Sequence, residues 1–272
     1  MKTSLIVLAG FILFSPTLLA QERVTAKWND PSRPGLLKVD SVWGSIRIKI
    51  HATSDVTVEA KSRRNRIDGR SGRRPAAPEA AGLRRLDSGG SPFMTESDSN
   101  NVITVTGGDP VSGVGDLEIE VPKKTNLNLQ AKLGTIMVDD VEGDIEATSL
   151  NGSINLTNVS GSVVAHSMNG TVVVSFQNIA ESKPMSFTSM NGNVDVTLPA
   201  AAKANLKMRT ALGGIYTDFD VQLATSSTNS TQDQTRLRRI RVERNVSGTI
   251  NGGGADFDLR SQNGNVYLRK AK

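Results

Sequence analysis

The residues best suited to acid–base chemistry are two pairs of aspartates, Asp218 with Asp220 and Asp256 with Asp258. The members of each pair are two positions apart, so they share one face of an extended strand. Glycoside hydrolysis needs two carboxylates about 5–9.5 Å apart, which such neighbours can provide. Each pair, however, alternates with an apolar residue such as Phe219. That alternation is typical of the solvent face of a strand, and it favours a structural role.

Other catalytic and metal-binding chemistry has little support. The chain contains no cysteine and two histidines. His51 ends a strand-like segment and is predicted to lie at the surface, whereas His166 takes the position that Thr148 fills in an equivalent segment and is interpreted as a corner residue. There is no phosphate loop, dinucleotide fingerprint or Cys/His metal spacing, and residues 252–259 do not complete a calcium nonapeptide. We therefore expect a protein that is not an enzyme and that has no cofactor or metal.

A strongly basic segment indicates a different kind of chemistry. Residues 61–85 carry nine Lys/Arg and two acidic residues, whereas the whole chain has a net charge of +5, so its remainder is mildly acidic. Such a segment can bind an anionic polymer, a phospholipid surface or nucleic acid, or it can simply keep the chain soluble. The interleaved aromatic residues that single-strand binders use for stacking are absent, so no nucleic acid is expected. The candidate binding residues are Arg63, Arg64, Arg66, Arg70, Arg73, Arg74, Arg84 and Arg85, and a second basic stretch contains Arg236, Arg238, Arg239, Arg241 and Arg244.

The elements that position these residues are repeats. Between residues 134 and 170 a glycine occurs every nine residues, and the segments around these glycines alternate in kind. The true repeat is therefore eighteen residues, made of two unlike nine-residue halves. Within each half the apolar residues occupy every second position, as in a strand with one buried face. The predicted turn glycines are Gly134, Gly143, Gly152, Gly161, Gly170, Gly192 and Gly264, because Asn-Gly and Ser-Gly tolerate positive φ.

These repeats predict an all-β fold, a single-stranded parallel β-solenoid with coils of about eighteen residues. A nine-residue half buries about three aliphatic side chains, at roughly 1.5–3 kcal/mol each. Ordering it costs about 1.5 kcal/mol per residue, so the coils are stable only when stacked. The alternative is an antiparallel sandwich of hairpins, since Asn-Gly is also a hairpin turn signal. Hairpins, however, do not explain the alternation of unlike halves.

The chain divides into a leader and one domain. Residues 1–20 have Lys2, an apolar run and a small residue at Ala20, the layout of a secretory signal peptide. The β-solenoid domain is expected at 21–272, with a basic, disordered insertion at 61–100 and a Ser/Thr-rich loop at 222–235. The apolar run of the leader is short for a spanning helix. We therefore expect an exported protein, in the periplasm or at the cell surface, with no membrane span in the mature chain.

One stretch of the chain resembles a known family. Residues 116–174 read DLEIEVPKKTNLNLQAKLGTIMVDDVEGDIEATSLNGSINLTNVSGSVVAHSMNGTVVV, an alternating strand and a Val-Pro followed by alternating Asn-Gly and Val-x-Gly halves. This pattern resembles the bacterial putative-adhesin family of unknown function, and it is similar in style to the adhesin-head domain with a Gly-Ile-Asn signature. The resemblance implies an exported β-solenoid without established catalytic residues. The Arg-rich insertion departs from the family pattern.

The sequence as a whole favours a non-enzymatic cell-envelope protein, an adhesin or scaffold. Its solenoid faces and Arg-rich loop would bind an envelope polymer or an envelope protein. Two alternatives remain open at this point: a carbohydrate-active β-helix enzyme that acts on anionic glycans, and a partner in envelope-stress signalling. Because solenoid ends expose unpaired strand edges, end-to-end self-association is also expected.

Overall fold

The structure, a computed structural model, describes residues 23–62, 93–107, 114–223 and 244–272. In these ranges all of the regular secondary structure is β-strand, so the all-β prediction is confirmed. The predicted signal peptide lies outside the described residues. The first eleven strands are β1 (Arg23–Lys27), β2 (Gly35–Trp43), β3 (Ile46–His51), β4 (Asp55–Ser62), β5 (Phe93–Ser97), β6 (Val102–Gly107), β7 (Val114–Pro122), β8 (Thr125–Leu133), β9 (Ile136–Asp139), β10 (Ile145–Asn151) and β11 (Ile154–Gly161). The others are β12 (Val163–Asn169), β13 (Val172–Ile179), β14 (Met185–Asn191), β15 (Val194–Leu198), β16 (Ala204–Thr210), β17 (Ile215–Thr217), β18 (Gln222–Leu223), β19 (Arg244–Ile250), β20 (Ala255–Ser261) and β21 (Val266–Lys270).

The strands form two sheets that share one core. Sheet A has the order β1-β4-β7-β3-β9-β11-β13-β15-β21-β17, and sheet B has the order β18-β19-β16-β20-β14-β12-β10-β8-β2-β6-β5. Side chains alternate between the core and the solvent along each strand. In β15, for example, Val194, Val196 and Leu198 are fully buried, whereas Asp195 and Thr197 lie on the outer face. The inner faces of both sheets are therefore apolar, and polar side chains cover the outer faces.

In the centre of the molecule the strands pair in parallel with a constant register. Ile145 of β10 pairs with Leu127 on one side and Val163 on the other, so each partner is eighteen residues away. Ile154 of β11 has partners at the same separation in β9 and β13. The eighteen-residue spacing of the sequence is thus the spacing between paired residues. One half of each coil lies in sheet B and the other half in sheet A.

The prediction of a wholly parallel arrangement is wrong at both ends of sheet B and at the β1 end of sheet A. Strand β4 pairs antiparallel with β1 and β7, and β5 pairs antiparallel with β6. At the other end β19 pairs antiparallel with β16 and β18. A terminal coil has no further coil to pair with, and an antiparallel strand satisfies its backbone groups instead. At the other end of sheet A the last strand, β17, still pairs parallel with β21.

The order of the coils in space also differs from their order in the chain. Strand β20 lies between β14 and β16, and β21 lies between β15 and β17, so the last coil is inserted rather than added at the end. Its Phe257 stacks on Phe187 of β14 with ring centroids 6.0 Å apart. Phe176 of β13 meets Phe187 edge-to-face at 6.1 Å. These three rings fill the core at the inserted coil, where small residues would leave a cavity.

Three boundaries of the predicted insertions need correction. Residues 93–97, assigned to the basic insertion at 61–100, form β5, because the buried Phe93 anchors them in the core opposite Gly107. Lys61 and Ser62 belong to the end of β4. Likewise Gln222 and Leu223, assigned to the Ser/Thr-rich loop at 222–235, form β18. Residues 63–92 and 224–243 lie outside the described residues.

Removing one whole coil should leave the protein folded. Deletion of residues 143–160 brings β12 next to β8 and β13 next to β9 without a change of sheet, because the eighteen-residue register is kept. Deletion of residues 152–160 instead forces every later strand into the wrong sheet. We expect a modest decrease in Tm for the first variant and loss of the cooperative transition for the second. Circular dichroism melting measures both, and equal behaviour of the two variants would contradict the two-halves arrangement.

Candidate binding surface

The corner that joins sheet B to sheet A is built on a column of glycines, which in spatial order are Gly44, Gly134, Gly152, Gly170, Gly192, Gly264 and Gly213. Each glycine packs on the carbonyl oxygen of the one before it. A Cβ added to Gly152 would lie 1.9 Å from the Gly134 oxygen, and one added to Gly170 would lie 2.3 Å from the Gly152 oxygen. No side chain fits at these contacts.

The reason predicted for these turn glycines therefore needs correction. The sequence argument attributed them to positive φ, yet Gly152, Gly170, Gly192 and Gly264 are not among the residues with positive φ. Glycine is required there because the neighbouring coil lies too close for a Cβ. Gly143 and Gly161 lie at a second corner, where a Cβ on Gly161 would lie 2.3 Å from the Gly143 oxygen. Of the predicted turn glycines, Gly134, with a φ of 158°, and Gly161, with a φ of 119°, have a positive φ that adds to that requirement.

Buried hydroxyl groups donate to the carbonyl oxygens of five corner glycines, Gly134, Gly152, Gly170, Gly192 and Gly264. The donor is a serine at the first four and Thr210 at the last. The Ser167 hydroxyl donates to the Gly152 oxygen at 3.0 Å, and the Ser189 hydroxyl donates to the Gly170 oxygen at 2.8 Å. Ser261 makes the same bond to Gly192. These hydroxyl groups lie on the inner face of sheet B, where an unpaired polar group would be costly. The repeated Ser-x-Asn-Gly sequence is the signal for this bond, and sequence reasoning from the glycines alone missed it.

An asparagine ladder lies on the solvent side of the same corner. The Asn169 side-chain amide donates to the Asn151 Oδ1 at 2.7 Å, Asn191 donates to Asn169 at 2.7 Å, and Asn263 donates to Asn191 at 2.6 Å. In each case the bond joins equivalent positions of adjacent strands. Stacked amides of this kind stabilise parallel in-register strands. The ladder holds four polar side chains in one fixed, exposed line.

Exposed apolar side chains run beside the asparagine ladder, and we call them the corner ridge. The corner ridge consists of Trp43, Leu133, Leu150, Met168 and Met190, whose exposed fractions range from 36% to 47%. Leu150, Met168 and Met190 occupy the position immediately before the ladder asparagines. Leu133 pairs in register with Asn151, and Trp43 pairs with Leu133, so these two continue the asparagine column. Contiguous exposed apolar groups on a soluble protein often mark interaction sites. The corner thus combines an apolar line with a line of amides.

A cluster of charges covers the outer face of sheet A near β1. The ammonium groups of Lys49 and Lys61 both contact the Glu118 carboxylate, whose side chain is 18% exposed. These two cations lower the pKa of Glu118 to about 2. Arg23 pairs with Glu120 of the same strand at 3.2 Å. The cluster therefore joins β1, β3, β4 and β7 across their outer face.

The aspartate pairs proposed for catalysis have structural partners. Asp218 lies just beyond β17, and its Oδ1 accepts a hydrogen bond from the Lys270 backbone N–H at 2.8 Å. Asp256, on the outer face of β20, accepts a hydrogen bond from the Asn205 amide at 3.0 Å. The Asp258 carboxylate lies 3.7 Å from the Arg260 guanidinium. Asp220 is exposed and lies outside the strands, so the expected alternation of Asp218 and Asp220 along one strand is absent.

The two histidines also have structural surroundings. The His51 Nε2 lies 2.6 Å from the Asp55 carbonyl oxygen and its Nδ1 lies 2.8 Å from the Thr53 hydroxyl, so the ring ties the turn between β3 and β4. His166 lies mid-strand on the outer face of β12, in register with threonines of β10 and β14.

Among the described residues no group of three or more His, Cys, Asp or Glu is arranged to hold a metal ion. In the same ranges no helix has the length and apolarity that a membrane span requires.

The predicted polyanion-binding arginines lie in residues 63–92, outside the described residues. The two strands that flank these arginines are among the described residues. Strand β4 ends at Ser62 and β5 begins at Phe93, and both strands lie at the β1 end of the sheets. Of the second basic stretch only Arg244 is described. It begins β19 at the opposite end, where its Nη1 donates to the Gly213 oxygen at 3.0 Å. The two basic stretches are therefore attached at opposite ends of the molecule.

The fold and its corner define the class of protein: an all-β chain whose two mixed sheets are joined at glycine corners. The Toastrack DUF4097 family matches residues 94–269, which is more than half of the chain. The chain therefore belongs to the Toastrack DUF4097 family, and the resemblance to putative adhesins inferred from its sequence is confirmed.

Two solved structures are similar to the chain. A putative cell adhesion protein from Clostridium sporogenes aligns over 92% of this chain and 100% of its own, with 9% identity and a TM-score of 0.42. A putative adhesin from Bacteroides fragilis aligns over 92% of this chain and 97% of its own, with 10% identity and a TM-score of 0.26. Neither likeness is close enough to transfer a function. No curated protein matches the sequence significantly.

Adding a side chain at a corner glycine should destabilise the protein far more than adding one at a glycine with no atoms close to its Cβ position. Gly170→Ala places a methyl group against the Gly152 carbonyl and requires the backbone to move. We expect it to lower the free energy of unfolding by about 3 kcal/mol. The control is Gly252→Ala, where no atom lies within 4 Å and the positive φ alone costs about 1 kcal/mol. Urea unfolding measures both, and equal losses would contradict the close-contact explanation.

The charge cluster should make stability depend on pH through Glu118. Its pKa is about 2 in the folded protein against 4.5 for the free side chain, so its contribution is complete above 4.5 and is lost as the pH falls towards 2. We expect Glu118→Gln to cost about 1 kcal/mol at pH 7, after allowance for solvent screening of the exposed lysines, and much less at pH 2.5.

The matched control for this pH experiment is Glu146→Gln. Glu146 lies on the outer face of β10, where it accepts a hydrogen bond from the Asn128 amide. Thermal melts of wild type and both variants at the two pH values isolate the contribution of Glu118. A loss of stability in Glu118→Gln that is the same at pH 7 and pH 2.5 would show that the two lysines do not act through the ionised carboxylate.

Proposed function

We propose that this protein is a non-enzymatic, exported cell-envelope scaffold, an adhesin-like module that binds an extended envelope polymer or an envelope protein. The leader-like composition of residues 1–20 supports export to the periplasm or the cell surface. Membership of the Toastrack family is consistent with an adhesin-like role. Within this proposal the two sheets act as a stack of β-solenoid coils that holds the binding surface rigid.

The observation that carries the proposal is the repetition of equivalent outward side chains in register. The four asparagines of the ladder and the ridge residues beside them recur from strand to strand along one corner. Adjacent strands are about 4.7–4.9 Å apart, so the exposed groups form a straight, evenly spaced line. A linear partner, such as a polymer chain or an extended peptide, can contact several of these groups at once and gain affinity from each.

The aspartate contacts disfavour the enzymatic alternative. Asp218 accepts a backbone hydrogen bond, and Asp256 is bonded to a neighbouring amide. A general acid of a glycosidase needs a raised pKa, which burial or a like charge would provide. Asp256 is exposed on the outer face of β20 and Asp218 is exposed just beyond β17, so neither carboxyl group is buried. We therefore assign Asp256 and Asp258 to the outer face of sheet B, and Asp218 and Asp220 to the exposed segment that follows β17.

The Arg-rich insertion would provide a second, electrostatic contact. It joins β4 to β5 at one end of the molecule, so it can reach a polyanion while the corner faces remain exposed. Charge contacts of this kind weaken as salt increases. In this proposal the insertion attracts an anionic envelope polymer, and the corner provides contacts that depend less on salt.

The test is co-sedimentation of the protein, without residues 1–20, with envelope fractions of its own host at low and moderate salt. The wild type is compared with a variant in which a Gly/Ser linker replaces residues 64–91, which leaves β4 and β5 intact. We expect the wild type to sediment with the envelope, less strongly at moderate salt, and the variant to bind several-fold less at low salt.

A matched control separates charge from the length of the insertion. Substituting lysine for the eight candidate arginines keeps the charge, and substituting glutamine removes it. The lysine variant should sediment almost as the wild type does, and the glutamine variant should behave like the linker variant. If wild-type protein stays in the supernatant at low salt, the envelope-binding proposal is wrong. If all variants bind equally, the arginines are not the contact.

A further inference from the structure

The only two tyrosines of the chain stack on each other at the surface. Tyr216 of β17 and Tyr267 of β21 are paired in register on the outer face of sheet A. Their ring centroids are 5.2 Å apart and the ring planes differ by 18°. Residues 216 and 267 are 51 positions apart in sequence, and they meet because β21 is inserted beside β17. Together they form a small aromatic platform in a chain with few aromatic residues.

Polar contacts hold the platform in place. The Arg269 guanidinium lies 4.9 Å from the centroid of the Tyr267 ring. Its Nε donates to both oxygens of Asp195, at 2.8 and 3.1 Å. The Asn265 amide donates to the Tyr267 hydroxyl at 2.9 Å. Tyr267 therefore lies between Tyr216 and a neutral Arg–Asp pair, with its orientation set from both sides.

One side of the platform is open. Strand β17 is the last strand of sheet A, and Tyr216 remains 54% exposed although its ring stacks on Tyr267. Gly214 allows the Tyr216 side chain to lie close to the chain, because a Cβ there would lie 2.5 Å from the Tyr216 hydroxyl oxygen and 2.6 Å from two of its ring carbons. The Tyr216 ring thus lies at the edge of sheet A with about half of the residue exposed, where it is accessible to a planar or disc-shaped ligand.

We propose that Tyr216, Tyr267, Arg269 and Asp195 form a binding site for the neutral pyranose rings of a glycan chain. One face of a pyranose ring carries C–H bonds with a positive potential, which matches the negative face of an aromatic ring. The adjacent Arg–Asp pair offers donors and acceptors to hydroxyl groups. This site rests on the proposed envelope-binding function and specifies one polymer class for it.

The charges of the site favour a neutral glycan over an acidic one. The Arg269 guanidinium is already compensated by Asp195, so no free cation faces the platform from this pair. A carboxylate-bearing sugar would meet the Asp195 carboxylate beside it. The ammonium group of Lys270, the next residue in β21, lies 5.2 Å from the centroid of the Phe219 ring. Because its arginine is paired with a carboxylate, the tyrosine site differs in chemistry from the Arg-rich insertion at the opposite end.

The experiment titrates wild-type protein with two neutral probes, cellohexaose and chitohexaose, and follows binding by calorimetry and by NMR of the tyrosine ring signals. We expect at least one probe to bind and to shift the signals of both rings. Tyr216→Ala should weaken binding by about tenfold or more, which corresponds to about 1.4 kcal/mol. Tyr216→Phe keeps the ring face and should bind within about twofold of wild type.

Matched variants separate a contact from a loss of fold. Val173→Ala changes an exposed residue of the same sheet face, two strands from Tyr267, and should leave both binding and Tm unchanged. Asp195→Asn breaks the ion pair and should weaken binding without changing the stacked rings. If neither probe binds the wild type, or if Tyr216→Ala binds as well as Tyr216→Phe, the glycan site is overturned.

Co-sedimentation of Tyr216→Ala with the host envelope distinguishes this site from the proposed function. If wild type sediments but neither oligosaccharide binds it, the envelope-binding function stands and the glycan site fails. If the oligosaccharides bind at the tyrosines but wild type does not sediment with the envelope, the glycan site stands and the proposed function fails. If Tyr216→Ala is the only variant that loses both oligosaccharide binding and envelope binding, the result supports the glycan site and the proposed function together.

Discussion

The structure depends on one contact, the packing of each corner glycine on the carbonyl group of the glycine before it. This contact leaves no room for a Cβ, and it brings adjacent coils close enough for the serine hydroxyl to reach the same carbonyl. With the corner fixed, the inward side chains meet in one apolar core and the asparagines meet in a hydrogen-bonded ladder outside it. The asparagine ladder and the corner ridge are both consequences of this alignment.

The ends of the stack follow a different physical rule from its centre. Within the stack every coil has two neighbours, and parallel pairing satisfies both edges. A terminal coil has one neighbour, and at both ends of sheet B and at the β1 end of sheet A the chain reverses direction to provide another strand. The outermost strands at the β17 end are short, three residues in β17 and two in β18, which leaves little free edge for another chain to join. The same reversals place the attachment points of the long insertions at the ends, where they disturb no coil.

Much of the fold could be predicted because its signals are local. The two-residue alternation and the nine-residue glycine spacing identify the strands, their inward faces and the eighteen-residue register. The insertion of β20 and β21 between earlier strands could not be predicted, since the segment containing Asn263 and Gly264 resembles every other coil and carries no mark of its place. The start of β5 was missed because a single buried residue, Phe93, anchors it. The antiparallel ends were missed because the repeat pattern predicts further parallel coils and carries no signal for the strands that end the sheets.

The candidate sites were harder to predict than the fold, because they depend on which coils become neighbours and the local sequence does not show this. The Arg-rich insertion is visible in composition, but composition alone does not distinguish a contact from a solvated segment. The tyrosine platform is invisible in sequence, because Tyr216 and Tyr267 become neighbours only through the inserted coil. The inner faces of a coil are filled by its own core, so a binding function must use residues on the outer faces or at the ends. A stacked chain of this kind therefore creates its sites by register: which side chains form one surface depends on which coils lie side by side.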